Sequence, residues 1–300
     1  MLWILACASK EDLSTSPSNT SENTAQEEKS IAAPLKEEPP QKDTIVVSGF
    51  STPESALYDP HFDRYIVSNI NGGPLDKDDN GFLSLVSPEG KVTELSWISG
   101  AEHNYDLHAP KGTAIIDKEL YVTDIDTIRV FDLDSGDHVR NISIEGAQFL
   151  NDLFAAGNTL YCSDMNTGLL YQIQHNSQPT IFYEGLSAPN GISGRGQTLS
   201  IVSFKEPLVT RIKMDGSFSE QIPTPSGGLD GIVLTIDGGY LSSWDSSSIY
   251  RISPSNELST FISDVNAPAD IGWDSKRNTL LIPLFKKNEL LIVSSKDKDR

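Results

Sequence analysis

Six short segments of the chain place a polar residue at the same point. They are Thr52-Pro53-Glu54, Ala109-Pro110-Lys111, Phe149-Leu150-Asn151, Ala188-Pro189-Asn190, Gly228-Leu229-Asp230 and Pro268-Ala269-Asp270. The polar residues are spaced 57, 40, 39, 40 and 40 residues apart. As a set they read three carboxylates, two amides and one ammonium. Carboxylates crowded at one place repel and want a cation. Carboxylate and amide oxygens without His or Cys select a hard ion. Calcium tolerates an irregular oxygen shell better than magnesium does. The alternative is that Asn-Gly, Asp-Gly and Asn-Asp are turn formers kept for backbone reasons. That alternative accounts for Glu54 and Lys111 less well. The expected chemistry is therefore that of an oxygen-bound divalent cation, with Asp152 beside Asn151 as a further carboxylate.

Side chains so far apart in sequence meet only if a repeat architecture brings them together. Each repeat carries strand signals. In the third, Asn151–Ala155, Thr159–Asp164, Leu169–Ile173 and Thr180–Tyr183 alternate with turns at Ala156-Gly157-Asn158 and Met165-Asn166-Thr167-Gly168. Four short antiparallel strands per repeat of about 40 residues describe a β-propeller blade. The predicted fold is all-β, a six-bladed propeller over 43–295. The last repeat supplies only three strands. Thr44–Ser48 is expected to provide the fourth and close the ring, which removes open sheet edges. In such a ring the starts of the innermost strands lie around one mouth of the central channel, so residues 54, 111, 151, 190, 230 and 270 are expected to face one another there. The first repeat is longer, with the excess in 69–81 and 99–108, both read as loops. Asp76–Gly81 begins like a calcium loop, but Ser87 stands where a bidentate Glu is required, so it is read as a turn-rich loop.

Composition narrows the function classes. The formal charge is −19, which argues against nucleic acid and suits solubility and cation binding. No Gly-x-Ser-x-Gly, His-Glu-x-x-His or Gly-Lys-Ser/Thr motif is present, so serine-hydrolase, zinc-protease and P-loop chemistry lack support. Cys162 falls in a strand and reads as a buried thiol. The first 42 residues differ in kind. Met1–Cys7 is apolar and ends in Leu-Ala-Cys, and residues 8–42 are rich in Ser, Thr, Glu, Lys and Pro without periodicity, as in a disordered tether. This stretch resembles the end of a bacterial lipoprotein signal peptide. The resemblance implies lipidation at Cys7 and a periplasmic protein of the bacterial envelope, anchored by lipid to the outer membrane. Residues 296–300 read as a polar tail, and a monomer is expected.

The blade starts resemble those of the regucalcin/gluconolactonase-like propellers and, more distantly, of diisopropyl fluorophosphatase and paraoxonase. Pro53-Glu54-Ser55, Asn151-Asp152, Pro189-Asn190-Gly191-Ile192 and Leu229-Asp230-Gly231-Ile232 carry the likeness. It implies a central calcium held by Glu54, Asn151, Asn190 and Asp230 and a calcium-dependent hydrolysis of lactones or related esters. Phe149 stands where gluconolactonase-type members have a substrate-gripping Arg, and Lys111 where paraoxonase-type members have His. On this reading the ion polarises a carbonyl and Asp152 or Asp230 is the general base. Lys111 orients an anionic part of a small-molecule substrate, with Asp270, His108 and Phe149 nearby. His108 reads either as a proton shuttle at the mouth or as a loop histidine. The competing reading is a non-catalytic, tethered propeller that binds a small ligand or a partner protein.

Overall fold

A computed structural model describes residues 43–102, 105–174 and 177–296. Cys7, the 8–42 tether and nearly all of the C-terminal tail lie outside the described residues. Twenty-four strands form six four-stranded antiparallel sheets, and the one helical piece among the described residues is the short 3-10 turn Gly100–Glu102. No described helix is long and apolar enough to cross a membrane.

Blade 3 shows how the repeat folds. Its strands are Leu150–Ala156, Thr159–Asp164, Leu169–Gln174 and Thr180–Tyr183, paired in that order. Consecutive apolar residues, Leu160-Tyr161-Cys162 and Leu169-Leu170-Tyr171, lie in its middle strands, as a strand covered by neighbouring sheets on both faces requires. The innermost strands of blades 1 to 5 are Pro53–Asp59, Pro110–Ile116, Leu150–Ala156, Pro189–Arg195 and Leu229–Thr235. Blade 6 combines Gly272–Asp274, Thr279–Leu284 and Glu289–Ser294 with the N-terminal Thr44–Ser48. Thr44 pairs with Val293 and Ser48 with Glu289, so the first strand of the chain closes the ring as expected. The core lies between blades. One cluster joins Ala114, Tyr121 and Val130 of blade 2 to Leu150, Leu160 and Tyr171 of blade 3, and five other clusters of comparable or smaller size fill other gaps.

The ring closure is reinforced by charge. Asp63, in the first turn of blade 1, accepts from Arg277 and Lys276 of blade 6 at 2.6–2.8 Å, and Tyr65 donates to Asp274 at 2.8 Å.

Near its start each of the first five innermost strands carries a one-residue irregularity. In blade 3, Leu150 pairs with Asp164 but Leu153 with Cys162, so Asn151 and Asp152 together oppose Ser163. The same shift occurs at 54/55, 111/112, 190/191 and 230/231. Such bulges re-aim side chains. In four of the five a serine or threonine opposite the bulge fixes it, and in blade 4 Val202 stands there. Ser163 Oγ accepts from Asp152 N at 3.0 Å and donates to Asn190 O of the next blade at 2.7 Å. Thr123 Oγ1 donates to Asn151 O, and Ser242 Oγ to Ala269 O. These buried bonds satisfy backbone groups where the sheets converge and no ladder can reach.

Candidate metal centre

The bulge defines two adjacent tiers on the axis. Glu54, Lys111, Asn151, Asn190 and Asp230 occupy its first position, and all are buried, between 1% and 5% exposed. The sixth equivalent is Ala269, not Asp270. Pro268 bridges Leu284 as Pro53 pairs with Asn69, and Ala269 O receives the Ser242 hydroxyl as Asn190 O receives that of Ser163. The ring is thus two carboxylates, two amides, one ammonium and a methyl group. This corrects the expectation that Asp270 shares the register of Asp230.

The second tier is Ser55, Gly112, Asp152, Gly191, Gly231 and Asp270. Its glycines are required by close approach of the blades: a Cβ on Gly112 or Gly191 would lie 2.5 Å from backbone atoms of the next blade. Asp152 serves as a brace. Its Oδ1 accepts from Leu153 N and its Oδ2 from Ile192 N of blade 4, both at 2.6 Å. Asp270 Oδ2 accepts from Ser55 Oγ at 2.7 Å, and Asp270 N donates to Glu54 O at 2.8 Å, tying blade 6 to blade 1.

Four buried oxygens on the first tier have no hydrogen-bond donor: Glu54 Oε2, Asn151 Oδ1, Asn190 Oδ1 and Asp230 Oδ1. Buried polar atoms are nearly always paired, so four orphans at equivalent positions of one ring form a set that asks for a shared electropositive partner. They belong to the four residues that the family resemblance implies as ligands. Among the described residues no three His, Cys, Asp or Glu side chains gather as a metal-holding group on their own. Here half of the donors are asparagine amides, and the all-oxygen set suits a hard cation such as calcium.

The electrostatics agree. Burial pushes the Glu54 carboxyl well above its usual range, and Asp230, Asp270 and Asp152 push further while Lys111 opposes. Asp230 is raised by burial and by Asp270. Asn190 and Trp244 lie near enough to favour its anion, while its Oδ1 and the Trp244 indole N–H each stand without a partner. Asp152 is raised by burial and Asp270, against the two backbone N–H groups. Asp270 is raised by burial to about 7, with Ser55 opposing. The site as it stands holds more negative charge than it can solvate, which a divalent cation would relieve.

Lys111 does not fill that need. Its Nζ donates to Ala109 O at 2.8 Å and lies 5.0 Å from the centre of the Phe149 ring. Burial lowers its pKa to about 8 against the pull of Glu54 and Asp124. At 1% exposure it is a fixed internal charge rather than a reaching arm. Phe149, half-buried, is its packing partner. His108 is a loop tie: its Nδ1 accepts from Asp79 N at 3.0 Å and its backbone N–H donates to Asp124. Of its two sequence readings, the loop histidine is the one its contacts support.

A second ring escaped the sequence reading. The residue just after the second strand of each blade is Ile70, Ile125, Met165, Phe204, Trp244 or Phe285, apolar in every case. Most are held by the same bond, from the ring residue's N–H to the carbonyl two positions before the tier-one residue: Ile70 to Thr52, Met165 to Phe149, Phe204 to Ala188, Trp244 to Gly228 and Phe285 to Ala267. Phe204, Trp244 and Phe285 touch in sequence around the mouth, with ring centres 5.8 and 5.2 Å apart. Phe285 also packs on Ile70, Ala109 and Ile125. This collar roofs the oxygen ring. Ile70 and Ile125 are buried, whereas Met165, Phe204, Trp244 and Phe285 are half-exposed. The Trp244 indole N–H is buried without an acceptor. The period that reveals the oxygen ring would also have revealed the collar.

No protein-family model matches the chain, and no curated protein sequence matches it. Solved structures do. A putative gluconolactonase aligns with a TM-score of 0.68 at 13% identity, over 85% of this chain and 93% of its own. A gluconolactonase from Xanthomonas campestris gives 0.66 at 16%, over 84% and 89%. A virginiamycin B lyase from Staphylococcus aureus gives 0.62 at 16%, over 85% and 99%. The likeness is one of fold. Fold alone does not assign chemistry, so function must be argued from the ring and its collar.

Proposed function

We propose that the protein is a divalent-metal-dependent hydrolase of lactones or related esters whose substrates carry an apolar portion. The observation that supports this most is the set of four orphaned oxygens on one ring. Glu54, Asn151, Asn190 and Asp230 would hold the ion, with calcium the best match to their chemistry. Bound there, the cation supplies Lewis-acid polarisation of an ester or lactone carbonyl.

The chain's own residues would do the rest. Asp230, whose Oδ1 would face the ion, would take the proton from the attacking water on its other carboxylate oxygen. Asp152 has both oxygens committed to backbone N–H groups and holds the ring's geometry, so the base is assigned to Asp230. Lys111 offsets the charge of Glu54. Trp244 offers an indole N–H to a substrate oxygen, while Phe204, Phe285 and Met165 receive the apolar portion and keep water from the reacting atoms. Likeness to gluconolactonases favours hydrolysis. Phe149 and the aromatic collar favour an aryl or alkyl ester over a polyhydroxylated sugar lactone.

The purified protein should hydrolyse aryl and alkyl esters or lactones, lose that activity in chelator and regain it with calcium. Absence of metal-dependent turnover across the panel overturns the proposal. One observation favours a second reading, a non-catalytic binding propeller: the ring oxygens are sealed from solvent beneath the collar. Glu54→Gln separates the two. Loss of turnover with stability kept supports the enzyme, and loss of stability alone supports a structural ion.

A further inference from the structure

The far end of the central channel is acidic: the charged groups around its cavity of about 210 Å³ are Asp152 and Asp270. A cavity of opposite character, about 340 Å³, lies between blades 4 and 5. Its charged side chains are Arg195, Arg211 and Glu220, in a chain of formal charge −19. Strands advance about 3.3 Å per residue, so Arg195 stands roughly 15 Å along the innermost strand from Asn190 and the oxygen ring.

One exchange in the repeat makes this space polar. Three residues before the end of its second strand, each blade turns a side chain toward the next blade. In order around the ring these are Ile66, Tyr121, Tyr161, Ser200, Tyr240 and Leu281. The other five are packed in the apolar clusters between blades. Ser200 is 1% exposed, and among the described residues its hydroxyl has no hydrogen-bond partner. The oxygen is not sealed off but faces the cavity. Ser200 pairs with Arg211, and Thr198, on the same face two residues away, pairs with Arg195. The two arginines thus flank Thr198 and Ser200, two strand spacings or roughly 10 Å apart. Each is half engaged: Arg195 Nη2 donates to Ile236 O at 2.7 Å, and Arg211 Nη1 to Glu220 Oε1 at 2.8 Å. Among the described residues, Nε and the second Nη of each arginine make no hydrogen bond, nor do the Thr198 and Ser219 hydroxyls.

We propose that this cavity binds a small phosphomonoester, its phosphate oxygens taken by Arg195, Arg211 and the Ser200 hydroxyl, and its body lying against Leu234 and Ile252. The chemistry selects this class over others. Two guanidinium groups against one carboxylate refuse a cation. Guanidinium forks bind carboxylate or phosphate through paired N–H groups. A carboxylate has two oxygens and one charge, which a single fork satisfies. A phosphomonoester has three free oxygens and close to two negative charges at neutral pH, which match two forks and a hydroxyl. Pockets of about 300–1,000 Å³ hold small molecules, and the acidity of the whole chain disfavours a polyanion such as nucleic acid. The site stands apart from the proposed hydrolase and does not depend on it.

Calorimetric titration of the full chain with phenyl phosphate, after chelator treatment so that no ion on the oxygen ring can contribute, tests the proposal. Expected are saturable binding at one site, displacement by inorganic phosphate, and at least tenfold weaker binding of benzoate. Arg195→Gln and Arg211→Gln should each weaken phenyl phosphate roughly tenfold. Ser200→Tyr places in blade 4 the side chain that blades 2, 3 and 5 carry at this point, and should abolish binding while the melting curve shows an intact fold. Should that variant fail to fold, Arg195→Gln, at an exposed position, still decides. No saturable binding, equal binding of benzoate, no displacement by phosphate, unchanged affinity in both arginine variants, or wild-type affinity in a folded Ser200→Tyr would each overturn it.

Discussion

The two ends of the channel are built from neighbouring residues of one bulge, yet they differ in kind. At one end four oxygens lie unpaired beside an apolar collar. At the other a cavity stands open, and its best-placed carboxylate, Asp152, is fully engaged by backbone. A step of one residue decides which end a side chain serves. Asp230 and Asp270 look alike in sequence, each third in a similar tripeptide. The first belongs to the oxygen ring and the second to the far cavity. Position within the bulge, rather than residue type, separates an unpaired ring oxygen from a brace.

The largest effect that would sharpen this contrast is on stability. Asp152→Ala leaves the buried N–H groups of Leu153 and Ile192 without an acceptor, each at about 1–3 kcal/mol. The folded state should lose about 3 kcal/mol or more in denaturant titration, whereas Asp230→Asn should leave the midpoint nearly unchanged. Comparable losses in both variants would erase the distinction between the tiers.

An intermediate effect concerns charge on the ring. Lys111→Met keeps the stem packed beside Phe149 and removes the ammonium. Divalent-ion affinity should rise roughly tenfold, about 1.4 kcal/mol, as read by calorimetry. Unchanged or weaker affinity would mean that Lys111 does not share the field of the oxygens.

The smallest effect lies away from both ends, at the seam between blades 6 and 1. Arg277 and Lys276 hold the Asp63 carboxyl well below its ordinary range. A depressed folded-state pKa gives stability that is present above the unfolded value of about 3.9 and is lost as pH falls through the folded one. The Asp63 side chain is 38% exposed, so screening keeps the contribution small. Asp63→Asn should lower Tm by roughly 2 °C at pH 7, and the gap should narrow steadily as the pH is taken below 3. A gap that persisted unchanged in acid would show that packing, not charge, holds the seam.

Much of this architecture was legible in the sequence. The 40-residue period, the turn residues and the missing fourth strand at 44–48 define the propeller because each strand lies between two sheets and must alternate with turns. Five of six ring positions were legible, since Pro or Leu before a polar residue marks the bulge. The sixth was not, because Pro268-Ala269-Asp270 imitates the pattern. Only the hydrogen bond from Ser242 to Ala269 O and the Pro268–Leu284 bridge fix its true register. The collar was hidden by chemical variety. Ile, Met, Phe and Trp at the start of turns look unrelated until the strand ends align them. The engagement of Asp152 was also invisible, because its partners are backbone atoms one residue and one blade away.

The central claim is that the four orphaned oxygens bind one divalent cation. Calcium titration of the chelator-treated protein by calorimetry, with Glu54→Gln beside it, tests this most directly. Binding at one ion per chain, abolished in Glu54→Gln while the melting curve shows an intact fold, is the expected result. No binding of calcium or any other divalent ion, or an isotherm identical in wild type and Glu54→Gln, would contradict it.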